Sequence, residues 1–252
     1  MPLRFCSATD PGRQRPVNQD AVLTDPSLQL FVVADGMGGY RDGDVASRLI
    51  IDSIRSFFIE TSLDKDKTWP FKMNHELSYA ANRLKTAVLV ANRRISDHLA
   101  ADGEPRGMGA TLAAVQIGDG RAVVANIGDC RAYLLADGAL RQITRDHSWV
   151  AEQVTAGVIT AEGARAHPWR HMVTRAIQGD ADLQVDVTER DLPKQGRILL
   201  CSDGLHGVLN DDDIAAALRT AGPSLDGLCD GLIRTANERG APDNVSVIVI
   251  DW

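Results

Sequence analysis

Short apolar segments rich in valine, isoleucine and leucine recur along the chain and are typical of buried β-strands. Six of them are predicted to be strands: 28–34, 110–117, 121–127, 131–136, 196–202 and 245–251. Glycine and aspartate, which tolerate positive φ and suit tight hairpins, follow two of these segments, at Gly118-Asp119-Gly120 and at Asp137-Gly138. The centre of the chain is therefore predicted to be an antiparallel meander.

Helical periodicity appears between the groups of strands. Apolar residues at spacings of three and four fall on one face over 44–60 and over 77–99, which predicts two long amphipathic helices. Two further helices are predicted at 211–220 and 224–239, the second ended by Gly240. Helices that come in pairs with strands between them indicate antiparallel sheet packed under helices rather than alternating βαβ units.

Residues 148–179 fit neither pattern. They are locally helical but irregular, and they contain two tryptophans and two histidines. A flap subdomain is expected there. No internal repeat or shift in composition marks a second folding unit, so residues 1–252 are interpreted as a single catalytic domain that carries this flap.

Charge and cysteine content narrow the class of protein. The 252 residues include 34 acidic and 27 basic side chains, and this negative balance argues against a nucleic-acid partner, which would need clustered positive charge. Neither a signal peptide nor an apolar stretch of membrane-spanning length is visible, so we expect a cytoplasmic protein without a membrane partner. The scattered cysteines are expected to be buried free thiols in a reducing compartment: Cys6, Cys130, Cys201 and Cys229.

Three predicted strands lead into, or lie beside, an aspartate next to glycine or asparagine. These are Asp35 in VVADGMGG, Asp203 in LLCSDGL and Asp243 in APDNVSVIVI. Singly, each is most simply a turn. If they converge, they repel one another unless cations lie between them, because few basic residues stand beside them.

The ligand chemistry of these segments favours hard cations. Oxygen ligands without a Cys or His cluster indicate Mg²⁺ or Mn²⁺ rather than zinc or copper. Glycine beside a ligand lets the backbone approach closely, so the carbonyl of Gly36 could coordinate as well. Two such cations about 3.5–4 Å apart would share a bridging water, lower its pKa and bind the oxygens of a phosphoryl group.

Short blocks around these aspartates occur in a recognisable order: DGMGG at 35–39, GDCR at 128–131, SDGL at 202–205 and PDN at 242–244. Three more fall between or before them: TDPGRQRPVNQD at 9–20, MGAT at 108–111 and TRDHS at 144–148. Together they resemble the metal-dependent protein phosphatase family, type 2C, in its bacterial form. The resemblance covers nearly the whole chain.

The resemblance implies an α+β fold, a four-layer αββα sandwich in which two antiparallel β-sheets are flanked by helix pairs and the cations lie at one end between the sheets. It implies a serine/threonine protein phosphatase that hydrolyses phosphoserine and phosphothreonine monoesters by direct attack of a metal-bridging water or hydroxide. Its cofactors would be two or three Mn²⁺ or Mg²⁺ ions. Its partners would be phosphoprotein substrates and a cognate serine/threonine kinase, and a monomer is expected.

The same resemblance implies roles for individual residues. Asp35 would bridge two metals, and Asp203 and Asp243 would complete the first site. The Gly36 carbonyl would belong to the second site, with Asp20 as a direct or water-linked ligand.

Two further roles follow from the resemblance. Arg15 would hold the substrate phosphate, because a planar guanidinium offers paired donors to phosphate oxygens and stays charged. Asp129 would bind a third metal. Each residue could instead have a purely structural role, as a solvated loop arginine for Arg15, an Asx-type turn for Asp20 and a strand-end cap for Asp129.

The chain departs from the family pattern at three positions. Gln19 stands where many relatives have Glu, and Gly207 where many have Asp, which leaves open a catalytically impaired, phosphatase-fold regulator that binds phosphoproteins. Met37 replaces a histidine proposed as the proton donor in animal relatives, so metal-bound water is the simplest donor. His147 and His206 are interpreted as structural hydrogen-bonding residues.

A two-metal phosphodiesterase or nuclease would use the same cations, although the acidic balance of the chain disfavours it. The arginines of the flap, Arg165, Arg170 and Arg175, could form a docking surface for phosphoproteins. Ordinary solvated charges are the simpler interpretation of these three side chains.

Overall fold

The computed structural model describes residues 3–38, 42–64, 66–102, 107–220 and 225–252. Its strands are β1 (Arg4–Asp10), β2 (Asp20–Asp25), β3 (Leu30–Met37), β4 (Gly109–Gly118), β5 (Arg121–Ile127), β6 (Arg131–Ala136), β7 (Ala139–Gln142), β8 (Asp186–Asp191), β9 (Arg197–Cys201) and β10 (Val245–Asp251). Its helices are α1 (Asp42–Leu63), α2 (Tyr79–Asp102), α3 (Trp149–Thr155), α4 (Ala161–Ala166), α5 (Asp203–His206), α6 (Asp211–Thr220) and α7 (Leu228–Glu238).

The strands form two antiparallel sheets. The first sheet has the order β1-β10-β9-β6-β7, and the second has the order β2-β3-β4-β5-β8. Apolar side chains of α1 and α2 pack on the outer face of the second sheet, and those of α6 and α7 pack on the outer face of the first. A third apolar cluster lies between the two sheets. The αββα sandwich implied by the sequence is therefore confirmed.

The alternation of side chains along β3 explains how one strand serves two layers. Leu30 and Val32 pack with the cluster under α1 and α2, whereas Phe31 and Val33 pack between the sheets. All four are fully buried, and each contributes roughly 1.5–3 kcal/mol through burial. Asp35 follows the parity of Phe31 and Val33, so its carboxyl group lies on the side of β3 that faces the other sheet.

All six predicted strands are confirmed, with ends shifted by a few residues. The four predicted helices are confirmed as α1, α2, α6 and α7. Residue 224, where the last helix was predicted to begin, lies outside the described residues, and so does Gly39, the last residue of the DGMGG block. The strands that the pattern missed are β1, β2, β7 and β8, and each lies at the edge of a sheet. Edge strands expose one side to water and therefore carry polar residues instead of apolar runs.

The predicted central meander is wrong at one connection. Asp119 and Asp137 have positive φ in the expected hairpins β4–β5 and β6–β7. However, β5 pairs with β8 while β6 pairs with β9, so the chain crosses from the second sheet to the first between Ile127 and Arg131. Gly128, with a φ of 86°, redirects the chain at this crossing. Local turn residues fix hairpins but do not choose between distant pairing partners.

The segment 148–179 lies outside both sheets. It contains α3, capped by the Ser148 side chain, and α4, capped by the Thr160 side chain. An isolated bridge between Ser148 and Val173 joins the beginning of the segment to its later part, and a second bridge, between Ala110 and Ile177, ties its end to β4. Its irregular helical character is confirmed, and its action as a flap stays a prediction.

The expectation of four free thiols is wrong for one pair. Cys6 of β1 and Cys229 of α7 form a disulfide with Cα atoms 6.1 Å apart. Cys130 and Cys201 are free and buried, as expected. The bonded cysteines are 223 residues apart in sequence, and they meet only because α7 packs over β1. No spacing rule could reveal that contact.

The long helices α1 and α2 are both amphipathic, with one face packed on the second sheet. Across the described ranges, no helix combines the length and the apolar character needed to cross a lipid bilayer.

Candidate metal centre

Aspartates from five segments meet at one end of the sandwich. Asp20 at the start of β2 lies directly opposite Asp35 near the end of β3 in the antiparallel register. Asp203 follows β9 and Asp243 precedes β10, so the antiparallel pairing of these strands brings both to the same end. Asp129 lies in the crossing between β5 and β6. The charges of the other four aspartates all act on the carboxyl group of Asp35.

Burial makes ionisation of the central pair unfavourable. Burial, followed by the negative charges of Asp20 and Asp203, raises the pKa of Asp35 well above its usual value. Burial also raises the pKa of Asp20 to about 7, even though the hydroxyl groups of Ser246 and Ser202 favour its ionised form. The Ser202 hydroxyl donates to Oδ2 of Asp20 at 2.8 Å. Carboxyl groups arranged in this way are stabilised by protons or by cations.

Asp203 behaves differently because donors outweigh its burial. Burial acts to raise the pKa of Asp203, but the nearby imidazole groups of His171 and His206 leave it below its usual value. Nδ1 of His171 is 3.7 Å from Oδ2 of Asp203. Asp203 is therefore the ionised member of its pair with Asp35.

Asp129 joins the cluster from the crossing between β5 and β6. It is buried, and burial followed by the charges of Asp203 and Asp146 raises the pKa of its carboxyl group well above the usual value. Its backbone carbonyl accepts a hydrogen bond from Nε2 of His206 at 2.9 Å. The structural interpretation of His206 is confirmed by this bond.

Arg15 is the cation that reaches the cluster from the loop before β2. Its Nη2 donates to Oδ2 of Asp243 at 2.7 Å. This hydrogen bond, followed by the charge of Asp243, raises the pKa of Arg15. The Arg15 side chain is 53% exposed, so the guanidinium lies at the mouth of the cluster, where a phosphate could reach it.

Asn244 holds the loop that carries Arg15, a role that the sequence did not indicate. Its Oδ1 accepts from the backbone N–H of Gln19 at 2.8 Å. Its Nδ2 donates to the carbonyls of Pro11 at 2.9 Å and Val17 at 3.0 Å. The asparagine of the PDN block was the available signal, because a buried amide beside a ligand needs partners.

Gly36 is required for close backbone packing. Its N–H donates to the carbonyl of Gln19 at 3.2 Å, and the Ser47 hydroxyl donates to the same carbonyl at 2.7 Å. A Cβ on Gly36 would collide with the carbonyl oxygens of Gly43 and Gln19. The Gln19 side chain lies against Gly43 at the start of α1.

The Asx-type hydrogen bond near Asp20 is made by its neighbour Asn18. Oδ1 of Asn18 accepts from the N–H of Asp20 at 3.1 Å. The carboxyl group of Asp20 is thereby left to the cluster. His171 was missed in the sequence, because a histidine in an irregular segment gives no signal for its contact with Asp203.

The donor set fits hard divalent cations. Oδ1 of Asp20 and Oδ1 of Asp203 are buried oxygen atoms without a hydrogen-bond partner in the structure, and carboxylate oxygen is the ligand that Mg²⁺ and Mn²⁺ prefer. Within the part of the chain that is described, no three Asp, Glu, His or Cys side chains form a ready-made coordination shell. Like charges repel until a cation lies between them, so the carboxylates would have to draw together on binding.

Comparison with known proteins agrees with this geometry. The sequence profile of the family described as Protein phosphatase 2C matches residues 12–244. The serine/threonine protein phosphatase PstP of Mycobacterium tuberculosis is 36% identical over 249 residues, which are 99% of this chain and 45% of that protein. The chain thus spans about half the length of that relative. The serine/threonine phosphatase Stp of Listeria welshimeri is 32% identical over 96% of this chain and 93% of its own length.

Solved structures show the same fold. The crystal structure of M. tuberculosis PstP superposes with a TM-score of 0.86 at 35% identity, covering 99% of this chain and 98% of that one. The PstP catalytic domain in complex with two manganese ions has a TM-score of 0.82 at 34% identity, with coverage of 99% and 97%. With a family match over most of its length and the αββα architecture in place, this chain belongs to the protein phosphatase 2C family.

Proposed function

We propose that the protein is a metal-dependent serine/threonine protein phosphatase that hydrolyses phosphoserine and phosphothreonine monoesters. The observation that carries the proposal is the convergence of five aspartates, two with unpartnered buried oxygens, beside the guanidinium of Arg15. The names of the PstP and Stp relatives support the same activity.

The position of each residue in the cluster suggests which cation it would bind. We assign Asp35 as the ligand that two cations would share, because it lies opposite Asp20 in the register and near enough to feel the charges of the other three aspartates. Asp203 and Asp243 would complete the first site, while Asp20 and the Gly36 carbonyl would hold the second cation. The cations, Mn²⁺ or Mg²⁺, would lower the pKa of a water molecule and neutralise phosphoryl oxygens when bound.

Arg15 would hold the substrate phosphate, and Asp129 would be a ligand of a third cation. Arg15 offers two parallel N–H donors to phosphate oxygens, and it must exchange its bond to Asp243 for them. In the reaction, a water oxygen attacks phosphorus, the bond from phosphorus to the serine or threonine oxygen breaks, and the leaving oxygen takes up a proton. Met37 cannot supply that proton.

A metal-dependent assay tests the proposal. Hydrolysis of a phosphothreonine peptide is expected with Mn²⁺ and is expected to stop when a chelator is added. Asp203→Asn should remove activity. Asp191→Asn should not, because it alters a side chain that is 86% exposed and lies on an edge strand. Activity that persists in chelator would contradict the proposal.

The same assay distinguishes two rival functions. A catalytically impaired regulator, suggested by Gln19 and Gly207, would bind the phosphopeptide in calorimetry without releasing phosphate. A phosphodiesterase would cleave a nitrophenyl diester faster than the corresponding monoester. The acidic balance of the chain and the family relationship favour the monoester.

We further propose that the protein acts as a cytoplasmic monomer on phosphoproteins made by a serine/threonine kinase. A kinase is required because phosphoserine and phosphothreonine esters have to be formed by phosphoryl transfer before they can be hydrolysed. Light scattering at micromolar concentration measures the oligomeric state.

A further inference from the structure

The crossing between β5 and β6, which carries Asp129, is held by two hydrogen bonds between Gly128 and His147. The N–H of Gly128 donates to Nδ1 of His147 at 3.0 Å, and the N–H of His147 donates to the carbonyl of Gly128 at 2.8 Å. Gly128 has little freedom, because its φ is positive and a Cβ there would collide with the side chain of Thr111. The peptide that precedes Asp129 is therefore positioned by His147.

The hydrogen bonds of the ring determine its tautomer. Nδ1 of His147 accepts from an N–H and so carries no proton, which places the proton of the neutral ring on Nε2. Nε2 lies 3.1 Å from Oδ2 of Asp186, which can accept that proton in a hydrogen bond. Nη1 of Arg175 also lies 3.1 Å from Nε2, but it donates to Oδ1 of Asp186 at 2.7 Å and to the carbonyl of Gln184 at 3.3 Å. Burial lowers the pKa of His147, which keeps the ring neutral.

The far side of His147 contacts the end of the 148–179 segment. The N–H of Thr174 donates to the His147 carbonyl at 2.8 Å, and the next residue is Arg175, the partner of Asp186. His171, three residues before Thr174, is the side chain that approaches Asp203. One histidine thus connects the Asp129 crossing, the first residue of β8 and the end of this segment.

We propose that His147 is a positioning residue, which sets the place of the Asp129 carboxylate for cation binding and couples it to the end of the 148–179 segment. His147 acts through Gly128 and touches neither the cation nor the phosphate. The inference rests on the proposed function, because it takes Asp129 to be a cation ligand. A group that orients a metal ligand in this way typically changes metal affinity by about 10–100-fold when it is lost.

Two substitutions of His147 separate its bond to Gly128 from its bond to Asp186. His147→Asn places an amide oxygen near the position of Nδ1, so it keeps the acceptor for Gly128 and loses the reach to Asp186. His147→Gln keeps a donor near the position of Nε2 and loses the acceptor for Gly128. His98→Gln, on the exposed face of α2, is the matched control.

The first measurement is the Mn²⁺ concentration that gives half-maximal phosphatase activity, together with calorimetric Mn²⁺ binding. His147→Gln is expected to raise that concentration by about 10-fold or more and to weaken Mn²⁺ binding equally, while His147→Asn stays within about 3-fold of the wild type. In an Asp129→Asn background, His147→Gln should add no further shift. Equal shifts in both variants, no shift, or a shift that persists in the Asp129→Asn background would overturn the proposal.

A second measurement needs no substitution that could impair folding. Long-range proton–nitrogen correlation NMR of the Mg²⁺-loaded wild type should show His147 with a protonated Nε2 and an unprotonated Nδ1 at pH 7. A protonated Nδ1 would overturn the proposal, because Gly128 would lose its acceptor. If the wild type shows no phosphatase activity, the proposed function fails, while calorimetry and NMR still test the role of His147.

Discussion

Strands β9 and β10 carry buried charged residues at both ends, but the charges are balanced within the chain at one end and not at the other. At one end, Arg197 and Asp251 face each other in the register and form a two-pronged ion pair, with Nε to Oδ1 at 2.6 Å and Nη2 to Oδ2 at 2.8 Å. Arg197 also donates to the carbonyl of Leu218. Both side chains are almost fully buried, and their charges cancel.

At the other end, Asp203 and Asp243 stand among further carboxylates. Oδ1 of Asp203 has no hydrogen-bond partner in the structure, and Arg15 reaches the cluster only at its exposed mouth. The same two strands therefore end in a satisfied ion pair on one side and in unsatisfied negative charge on the other. Buried charge that serves structure is neutralised within the chain, whereas buried charge that serves binding awaits a cation from outside.

The largest expected effect is at the unsatisfied end. Asp35→Asn should lower kcat/KM for a phosphothreonine peptide by about ten-thousandfold, roughly 5.5 kcal/mol of transition-state stabilisation, because the ligand shared by two cations is lost. The free energy of unfolding in chelator should stay the same or rise, since one repelling carboxyl group is removed. Steady-state kinetics and urea denaturation measure the two quantities. A stability loss as large as the activity loss would show that Asp35 is structural.

The satisfied end should respond in the opposite sense. Arg197→Met should lower the free energy of unfolding by about 3 kcal/mol, because the buried carboxylate of Asp251 would lose its buried cationic partner. Arg4, which also contacts Asp251, has a side chain largely exposed to water and would compensate little. Activity at a temperature where the variant is folded should remain near the wild-type value. Arg121→Met, which removes the ion pairs of a half-exposed arginine with Asp191 and Glu189, is the matched control and should cost less than about 1 kcal/mol.

The third expected effect is a pH dependence that arises at the unsatisfied end, and its slope per pH unit is smaller than either of the two changes above. The folded-state pKa of Asp20 is about 7, above its reference value of 3.8, so the folded state binds more protons than the unfolded state between these values. In chelator, the free energy of unfolding should therefore fall as the pH rises from about 4 to 7, by at most about 1.4 kcal/mol per pH unit for this group.

Denaturation at pH 5 and pH 7 measures this slope. Asp20→Asn should reduce it, and Mn²⁺ at pH 7 should restore stability by binding the folded state. A stability that rises with pH in chelator, in wild type and variant alike, would contradict the proton linkage.

Local signals predicted the interior of the fold better than its margins. The apolar runs of β3, β9 and β10 were visible because both faces of these strands are buried. The charged sequence of β8, DVTERD, gave no such signal, because an edge strand exposes much of its surface. The disulfide between Cys6 and Cys229 could not be predicted from local sequence either, because its cysteines are 223 residues apart.

The sequence by itself determined the central strands, the helices α1, α2, α6 and α7 and the blocks that hold the aspartates, because periodicity and turn chemistry are local properties. Only the tertiary structure decided which sheet each strand joins, that Asp20 lies opposite Asp35, and that His171 and His147 reach the cluster and its supporting turn. These contacts join residues that are distant in sequence, and the free energy that selects them comes from packing two sheets and their helices together.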